Sequence, residues 1–151
     1  MPKTLNQKEQ KREALLRKFA FPKSVRAVIL LDIRDDVIHS FIMDASRVLN
    51  IGIIESDSEE DMSACDACIT DGLGELNLIN LTKSSVVSIL PKNHPLIGSF
   101  SEFDPMKFEG NAFIYDSLNP YLVFEKLIRY LENIRYAGDK RTLLNNVAKT
   151  F

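Results

Sequence analysis

The feature that most constrains the fold is a repeated alternation of short apolar runs with segments of helical periodicity. Residues 27–31 are five consecutive apolar side chains, as in a strand that is covered on both faces. The next segment keeps helical spacing, and the alternation then recurs with strands expected at residues 51–54, 67–70, 86–90 and 112–115. This pattern predicts an α/β protein: a single Rossmann-like three-layer domain with an about five-stranded parallel sheet and flanking helices.

The N-terminal segment is expected to form an amphipathic helix outside this alternation. Asn6, followed three residues later by Glu9, matches a capping box, and Pro22 stops a helix. We therefore divide the chain into an N-terminal basic helix at residues 1–22 and a Rossmann-like domain at residues 23–151.

The charge of the chain is distributed unevenly. The formal net charge is -2, yet residues 1–26 carry eight Lys and Arg side chains against two Glu. Such a split can mark a nucleic-acid-binding arm. Here the basic residues alternate with Leu5, Leu15, Leu16 and Phe19 rather than forming one run, as in a solvated amphipathic helix. We expect this helix to lie on an acidic domain and do not expect nucleic acid as a partner.

Length and composition exclude several classes of protein. A chain of 151 residues has room for one compact domain, and 45% hydrophobic with 26% charged residues excludes wholesale disorder. No apolar run approaches the roughly 18 residues of a membrane helix, so we expect no membrane partner. Two cysteines cannot make a disulfide framework, which predicts a cytoplasmic protein.

Cys65 and Cys68 form a lone CxxC motif. Zinc needs about four ligands, and His39 and His94 would have to complete the set. A redox CxxC places its first thiol at a helix N-terminus, whereas this pair leads into an expected strand. We interpret both cysteines as small buried side chains, place His39 at the edge of its helix, and predict neither a metal site nor a catalytic residue.

The loops at the carboxyl ends of the strands are the expected ligand site of such a sheet. The turn Asp71-Gly72-Leu73-Gly74 follows a strand and opens a helix, where free amides and the helix dipole favour an anion such as phosphate. It matches neither GxGxxG nor a Walker loop, and Asp71 could instead cap the helix. His94 lies in the loop after the fourth strand, at the same edge of the sheet.

Four stretches together resemble a known family. They are NQKEQKREALLRKFAFP, a lysine-rich helix that ends at a proline; CDACITDGLGELNLINLTKSSVVSIL, with an acid-and-glycine turn between two strands; EGNAFIYDSLNPYLVFEKLIRYLENI, a strand and a helix; and residues 139–151. In this order they resemble the C-terminal, nucleotide-sugar-binding half of the glycogen and starch synthases, which are retaining glycosyltransferases of the two-Rossmann-domain (GT-B) type. The resemblance implies a glycosyltransferase-like domain whose ligand would be an ADP- or UDP-sugar.

The positions that bind the donor diphosphate in that family are largely changed here. After the first strand the family supplies an Arg and a Lys, whereas residues 32–37 hold three Asp and only Arg34. Asp71 and Gly74 keep the acid and the glycine of the turn, and Lys92 lies in the segment that replaces a Thr-Gly-Gly loop. The substrate-binding residues that the resemblance implies are Arg34, Asp71, Gly72, Leu73, Gly74, Lys92 and His94.

These departures from the family pattern predict a weakened site. Carboxylates repel a diphosphate unless cations intervene. Judged against the family layout, we expect one strand–helix unit to be missing between Glu55 and Met62, and we expect no acceptor-binding domain in this chain. We expect a glycosyltransferase-like protein that is not catalytically competent alone, and that binds a sugar nucleotide or acts as half of a split enzyme. Its partner would be an acceptor-domain protein or a second copy. The alternative is a non-enzymatic interaction module that kept the fold and lost the site.

Overall fold

The computed structural model describes the backbone of residues 3–151 and the side chains of residues 7–151. Strands and helices alternate along the chain after an N-terminal helix. The strands are β1 (Val28–Asp32), β2 (Gly52–Ile54), β3 (Ala67–Thr70), β4 (Val87–Pro91) and β5 (Ala112–Tyr115). The helices are α1 (Lys3–Lys18), α2 (Asp36–Leu49), α3 (Glu59–Ser63), α4 (Glu75–Lys83), α5 (Pro120–Ile134) and α6 (Ala137–Ala148).

The five strands form one parallel sheet in the order β2-β1-β3-β4-β5. Pairing is in continuous register; for example, Leu30 lies beside Cys68 and Ile89 lies beside Phe113. The strand order reverses between β1 and β3, which makes this pair the topological switch point. The predicted α/β Rossmann-like architecture is confirmed.

The sheet is buried on both faces, which explains the unbroken apolar run of β1. Ile29 and Leu31 face the core layer that contains α2 and α5, whereas Val28 and Leu30 face the layer that contains α1 and α4. Because successive side chains of a strand point to opposite faces, a strand covered on both sides must be apolar at every position.

Helix α1 lies against the second of these layers. Leu15 and Leu16 are buried, and the basic side chains beside them reach acidic partners. The Arg12 Nε atom is 3.0 Å from Asp66 Oδ1, and the Lys18 Nζ atom is 2.8 Å from Asp61 Oδ2. The expectation of an amphipathic helix on an acidic domain is confirmed. Within the described residues, no helix has the length and apolar content to cross a membrane.

The start of α1 and the acidic segment after β2 differ from the prediction. Helix α1 begins at Lys3, so the capping-box pattern at Asn6 lies inside the helix and does not mark its start. The sequence predicts a solvated acidic loop from Glu55 to Asp61, but helix α3 begins within this segment, because the Ser58 side chain accepts a hydrogen bond from the Asp61 N–H and caps the helix. Asp61 is buried rather than solvated, with 8% of its surface exposed.

The sequence also predicts that the helix after the fifth strand ends at Gly138, and this boundary is wrong. Helix α5 ends at Ile134, before Gly138, and Gly138 lies in the first turn of α6. Tyr136, with extended backbone angles (φ -101°, ψ 122°), separates the two helices. A glycine near a helix end indicates a helix stop only when the backbone becomes left-handed there, and Gly138 does not do so.

Candidate functional site

Thr70 is the centre of the carboxyl edge at the switch point. It is the last residue of β3 and is fully buried. Its hydroxyl donates to Asp32 Oδ2 at 2.8 Å and accepts from the N–H groups of Gly72 at 3.1 Å and Leu73 at 2.7 Å. Its carbonyl accepts from the Tyr115 hydroxyl at 2.6 Å. Thr70 therefore connects the ends of β1, β3 and β5. It also accepts hydrogen bonds from two amides of the turn that the sequence predicts to be free.

Asp71 connects the same turn to the loop after β1. Its Oδ2 atom accepts the Arg34 N–H at 2.8 Å, and its own N–H donates to the Asp32 carbonyl at 3.1 Å. The N-cap of α4 is Gly74, with no side-chain cap bond, so the alternative in which Asp71 caps the helix is wrong. The Arg34 side chain is exposed and forms no salt bridge among the described residues.

His94 joins the loop after β4 to this turn from inside the protein. Only 3% of its surface is exposed, its Nε2 atom is 2.9 Å from the Leu73 carbonyl oxygen, and its Nδ1 atom accepts the Leu96 N–H at 3.1 Å. These partners require a neutral ring that donates from Nε2 and accepts at Nδ1. Both ring nitrogens are thus engaged by the backbone of the chain itself.

We call the connected set Asp32, Arg34, Thr70, Asp71, Leu73 and His94 the β1–β3 junction. Five of the seven sequence-predicted residues belong to this network or contribute an amide to it: Arg34, Asp71, Gly72, Leu73 and His94. Gly74 adjoins it as the N-cap of α4. Lys92 follows β4 with an exposed side chain, and only its backbone N–H is bonded, to the Tyr115 carbonyl at 3.0 Å.

A cavity of about 250 Å³ lies beside the junction, at the ends of β1 and β2. Its charged lining consists of Asp32, Glu55 and His39, and the His39 ring contacts the Glu55 carboxylate. No Lys or Arg of residues 7–151 lines the cavity. The cavity therefore presents two carboxylates to anything that enters it, and it does not offer the cationic surroundings that a diphosphate needs.

The two glycines of the turn face open space. A Cβ added at Gly72 or at Gly74 would meet no atom within 4 Å, and neither residue has a left-handed φ. The packing and backbone conformation of the described chain therefore do not require glycine at these positions. By contrast, Gly110 has a φ of +92°, and a Cβ there would lie 2.1 Å from the Glu102 carbonyl oxygen.

The two cysteines lie away from this edge as inert side chains. Both are buried and free, which confirms their interpretation as small core residues. Burial raises the pKa of the Cys65 thiol to about 12 and raises the pKa of Cys68 well above its usual value. Among the described residues, no group of three or more His, Cys, Asp and Glu side chains is arranged to hold a metal ion. His39 is half-buried on α2, as expected of a helix-edge residue.

Sequence reasoning missed Thr70 and Tyr115, which hold the junction together. Both are polar residues in the last position of a strand at the carboxyl edge. A polar residue that closes an apolar strand is a usable signal, since its side chain lies where the ends of neighbouring parallel strands meet.

The fold is that of an α/β domain with one Rossmann-type parallel sheet. Among solved structures, the catalytic domain of starch synthase IV from Arabidopsis thaliana bound to ADP and acarbose is similar to this chain, with a TM-score of 0.70 and 14% sequence identity. The similarity covers 94% of this chain and 38% of that chain. It confirms the predicted glycogen/starch synthase-like C-domain fold.

The sequence comparisons add no family to this result. No protein-family model matches the sequence. No curated protein matches it either. At 14% identity the structural likeness concerns the fold alone, and this chain spans well under half of the starch synthase chain to which it is similar.

Proposed function

We propose that this chain is a glycosyltransferase-like protein that does not transfer a sugar on its own, because its sheet edge has become a structural junction. The observation behind this proposal is that the Thr70 hydroxyl oxygen accepts two hydrogen bonds, one from the Gly72 N–H and one from the Leu73 N–H. In this fold, amides at such a turn are the donors that bind a phosphate. Here a phosphate would have to displace a buried hydroxyl of the protein to reach them.

The charges around the junction support the same proposal. Asp32 and Glu55 both line the adjoining cavity, and His39 is engaged by Glu55. At an effective dielectric constant of 20, two unit charges about 4 Å apart interact by about 4 kcal/mol. Two carboxylates near a diphosphate would therefore oppose binding by several times the thermal energy. Arg34 is the one cation of the junction and cannot neutralise this by itself.

A second candidate function is weak retention of a sugar nucleotide. The open space beside Gly72 and Gly74 and the exposed Arg34 side chain favour it, because they leave room and one cation next to the turn. In this case the chain would act with a partner that supplies an acceptor-binding domain, as one half of a split enzyme. An ADP- or UDP-sugar would be the ligand.

A titration separates these two functions. Transfer from labelled ADP-glucose or UDP-glucose to a glucan acceptor would be assayed with the chain alone, and backbone amide shifts would be followed during titration with each sugar nucleotide. We expect no transfer and no saturable shift at Arg34, Gly72 or Gly74 up to several millimolar. Saturable shifts confined to these residues would support the second candidate. Transfer by the chain alone would overturn the proposal.

A matched pair of variants localises any binding that is found. Gly72→Ala places a methyl group in the open space beside the turn, whereas Gly138→Ala places one in equally open space on α6. Loss of the shifts in the first variant but not in the second would place the ligand beside the turn. Equal behaviour of both variants would exclude the turn as the binding site.

The alternative function, a non-enzymatic interaction module, is supported by exposed apolar side chains on α2 and α5. Val37 and Tyr121 are 68% and 71% exposed, and Phe41, one helical turn after Val37, packs its ring 5.7 Å from the Tyr121 ring. These side chains form an apolar strip on α2 and α5 that a second copy of the chain could cover. Light scattering tests this: a dimer that dissociates in the variant Val37→Ser/Tyr121→Ser would support it, and a wild-type monomer at high concentration would contradict it.

A further inference from the structure

A second, larger cavity lies at the opposite end of the sheet. It has a volume of about 590 Å³ and is bounded by α1, by α6 and by the segments that immediately precede β3 and β4. We call it the α1–α6 groove. Among the residues whose side chains the structure describes, five cations and no carboxylate line it. The cations are Lys8, Lys11, Lys83, Lys140 and Arg141.

The two walls of the groove are single helix faces. The α6 wall consists of residues at helical spacing, which is why the cations Lys140 and Arg141 project beside the apolar Leu144. On the α1 wall, Gln7 and Lys11 are one turn apart. Serine hydroxyls and an asparagine amide complete the lining. The groove therefore combines cations with an apolar floor and with neutral hydrogen-bonding groups; the other lining residues are Ser63, Ser84, Ser85, Ala137, Asn145 and Ala148.

One of the five cations is already used by the fold. The Lys8 Nζ atom donates to three backbone carbonyl oxygens, of Ser63 at 2.6 Å, of Cys65 at 2.7 Å and of Ser84 at 3.0 Å. These carbonyls belong to the C-terminal ends of α3 and α4, where the helix dipole is negative. Lys8 therefore neutralises the part of the groove that would otherwise repel an anion.

The other four cations have no such partner. Lys11, Lys83, Lys140 and Arg141 are exposed, and none of them forms a salt bridge among the described residues. The four like charges line one cavity and repel one another, although solvent screens charges at exposed positions. A ligand with several negative charges would relieve this repulsion, and the Arg141 guanidinium can bind phosphate oxygens in a bidentate manner.

We propose that the α1–α6 groove binds a small organic phosphate through Lys11, Lys83, Lys140 and Arg141. The volume lies in the range of about 300–1,000 Å³ that is typical of small-molecule sites. The phosphate groups would meet the four cations, and the rest of the molecule would lie on Leu144 beside the Ser85 hydroxyl and the Asn145 amide. This proposal concerns the opposite edge of the sheet and does not depend on the function proposed for the β1–β3 junction.

Titration calorimetry with pyrophosphate tests the groove. The variant Lys140→Gln/Arg141→Gln removes two exposed groove cations whose side chains form no salt bridge among the described residues. The matched control, Lys23→Gln/Lys107→Gln, removes two exposed cations elsewhere and changes the net charge equally. We expect binding by the wild type, at least about tenfold weaker binding by the groove variant, and a change of no more than about twofold in the control. Equal weakening by both variants, or no heat at about 10 mM pyrophosphate, would overturn the proposal.

Titration with ADP distinguishes the groove from the sheet edge. ADP binding that is lost in Lys140→Gln/Arg141→Gln and kept in Gly72→Ala supports the groove, whatever the outcome at the junction. ADP binding with the reverse pattern overturns it. Tighter binding of a DNA duplex than of pyrophosphate, with a steep dependence on salt, would also overturn it, because the basic surface would then serve a nucleic acid rather than a small phosphate.

Discussion

The β1–β3 junction and the α1–α6 groove lie at opposite ends of one sheet. They differ in whether their polar and charged groups are bonded to other groups of the protein. At the junction, hydroxyl, carboxylate, imidazole and amide groups bond to one another, as Thr70 and His94 do. In the groove, four exposed cations have no acidic partner among the described residues. Fold topology makes the first region the expected ligand site, whereas the unpaired cations support the binding site that we propose in the second. The position of a site in a fold therefore does not determine which of its side chains are free to bind a ligand.

The largest expected effect is at the centre of the junction. Thr70→Val keeps the shape of the side chain and leaves Asp32 and the Gly72 and Leu73 amides without their partner. Because a polar group left unsatisfied in the interior costs about 1–3 kcal/mol, we expect the free energy of unfolding to fall by about 3 kcal/mol. Urea unfolding measures this. Thr142→Val is the control, since it loses one bond at the surface of α6. A loss below about 0.5 kcal/mol for Thr70→Val would contradict an internally bonded junction.

The next effect concerns the buried histidine. His94→Ala removes a side chain that bonds the Leu73 carbonyl and the Leu96 N–H, and we expect a destabilisation of about 2 kcal/mol. His39→Ala, at the half-exposed helix edge, should cost less than about 1 kcal/mol. Thermal unfolding of the two variants compares them directly. Equal losses would mean that His94 is not a structural connector, and the contrast between the two regions would weaken.

Lys8 is the one groove cation whose loss should destabilise the protein. Lys8→Met leaves three carbonyls unpaired, and we expect a loss of about 1–2 kcal/mol near pH 7, whereas Lys140→Gln should change stability by less than about 0.5 kcal/mol. Chemical denaturation of both variants and the wild type measures the two losses. Similar losses would show that the fold uses both cations alike.

The pH dependence of the same comparison has a defined sign. Burial lowers the pKa of Lys8 from 10.5 to about 8. Between pH 8 and pH 10.5 the Lys8 amine is protonated in the unfolded chain and deprotonated in the folded chain. The free energy of unfolding therefore increases as pH rises from 8 to 10.5. As pH falls through 8, this gain in stability is lost. The stability advantage of the wild type over Lys8→Met should therefore grow from pH 7.5 to pH 10. An advantage that shrinks over this range would contradict a buried, desolvated ammonium group.

The smallest effect is expected at the open turn. Gly72→Ala meets no atom within 4 Å and requires no left-handed backbone, so the free energy of unfolding should change by less than about 0.5 kcal/mol, with a slight gain from the stiffer unfolded chain. Thermal unfolding without ligand measures it. A loss of stability above about 1 kcal/mol would contradict the finding that Gly72 faces open space.

The strands were the most predictable part of the fold. The bounds of β3 and β5 agree with the sequence prediction, because a strand buried on both faces must be apolar throughout and this pattern is local. Helix ends were less predictable, as Asn6 and Gly138 show. Capping residues and glycines occur near helix ends for several reasons, and neighbouring structure decides which one applies.

The junction was predictable in position but not in chemistry. Arg34, Asp71 and His94 were placed at the correct edge by topology, yet their partners depend on which side chains of separate strands meet. Nothing local in the sequence indicates that the Thr70 hydroxyl reaches both Asp32 and the next turn. The α1–α6 groove is harder still to predict from the sequence. Lys11 and Lys140 are far apart in the chain, and tertiary packing alone brings them to the lining of one cavity.

The strand order of this sheet bears on how fold categories relate to one another. A dinucleotide-binding sheet has the order 3-2-1-4-5-6, and removal of its outermost strand with the helix that follows leaves the succession 2-1-3-4-5 after renumbering, which is the order found here and in flavodoxin-like proteins. Every surviving strand keeps its direction, and the strand that becomes the new edge is the one that loses a neighbour. The loss of one edge strand is therefore enough to convert one class of α/β topology into the other, so the two classes differ by a single strand–helix unit.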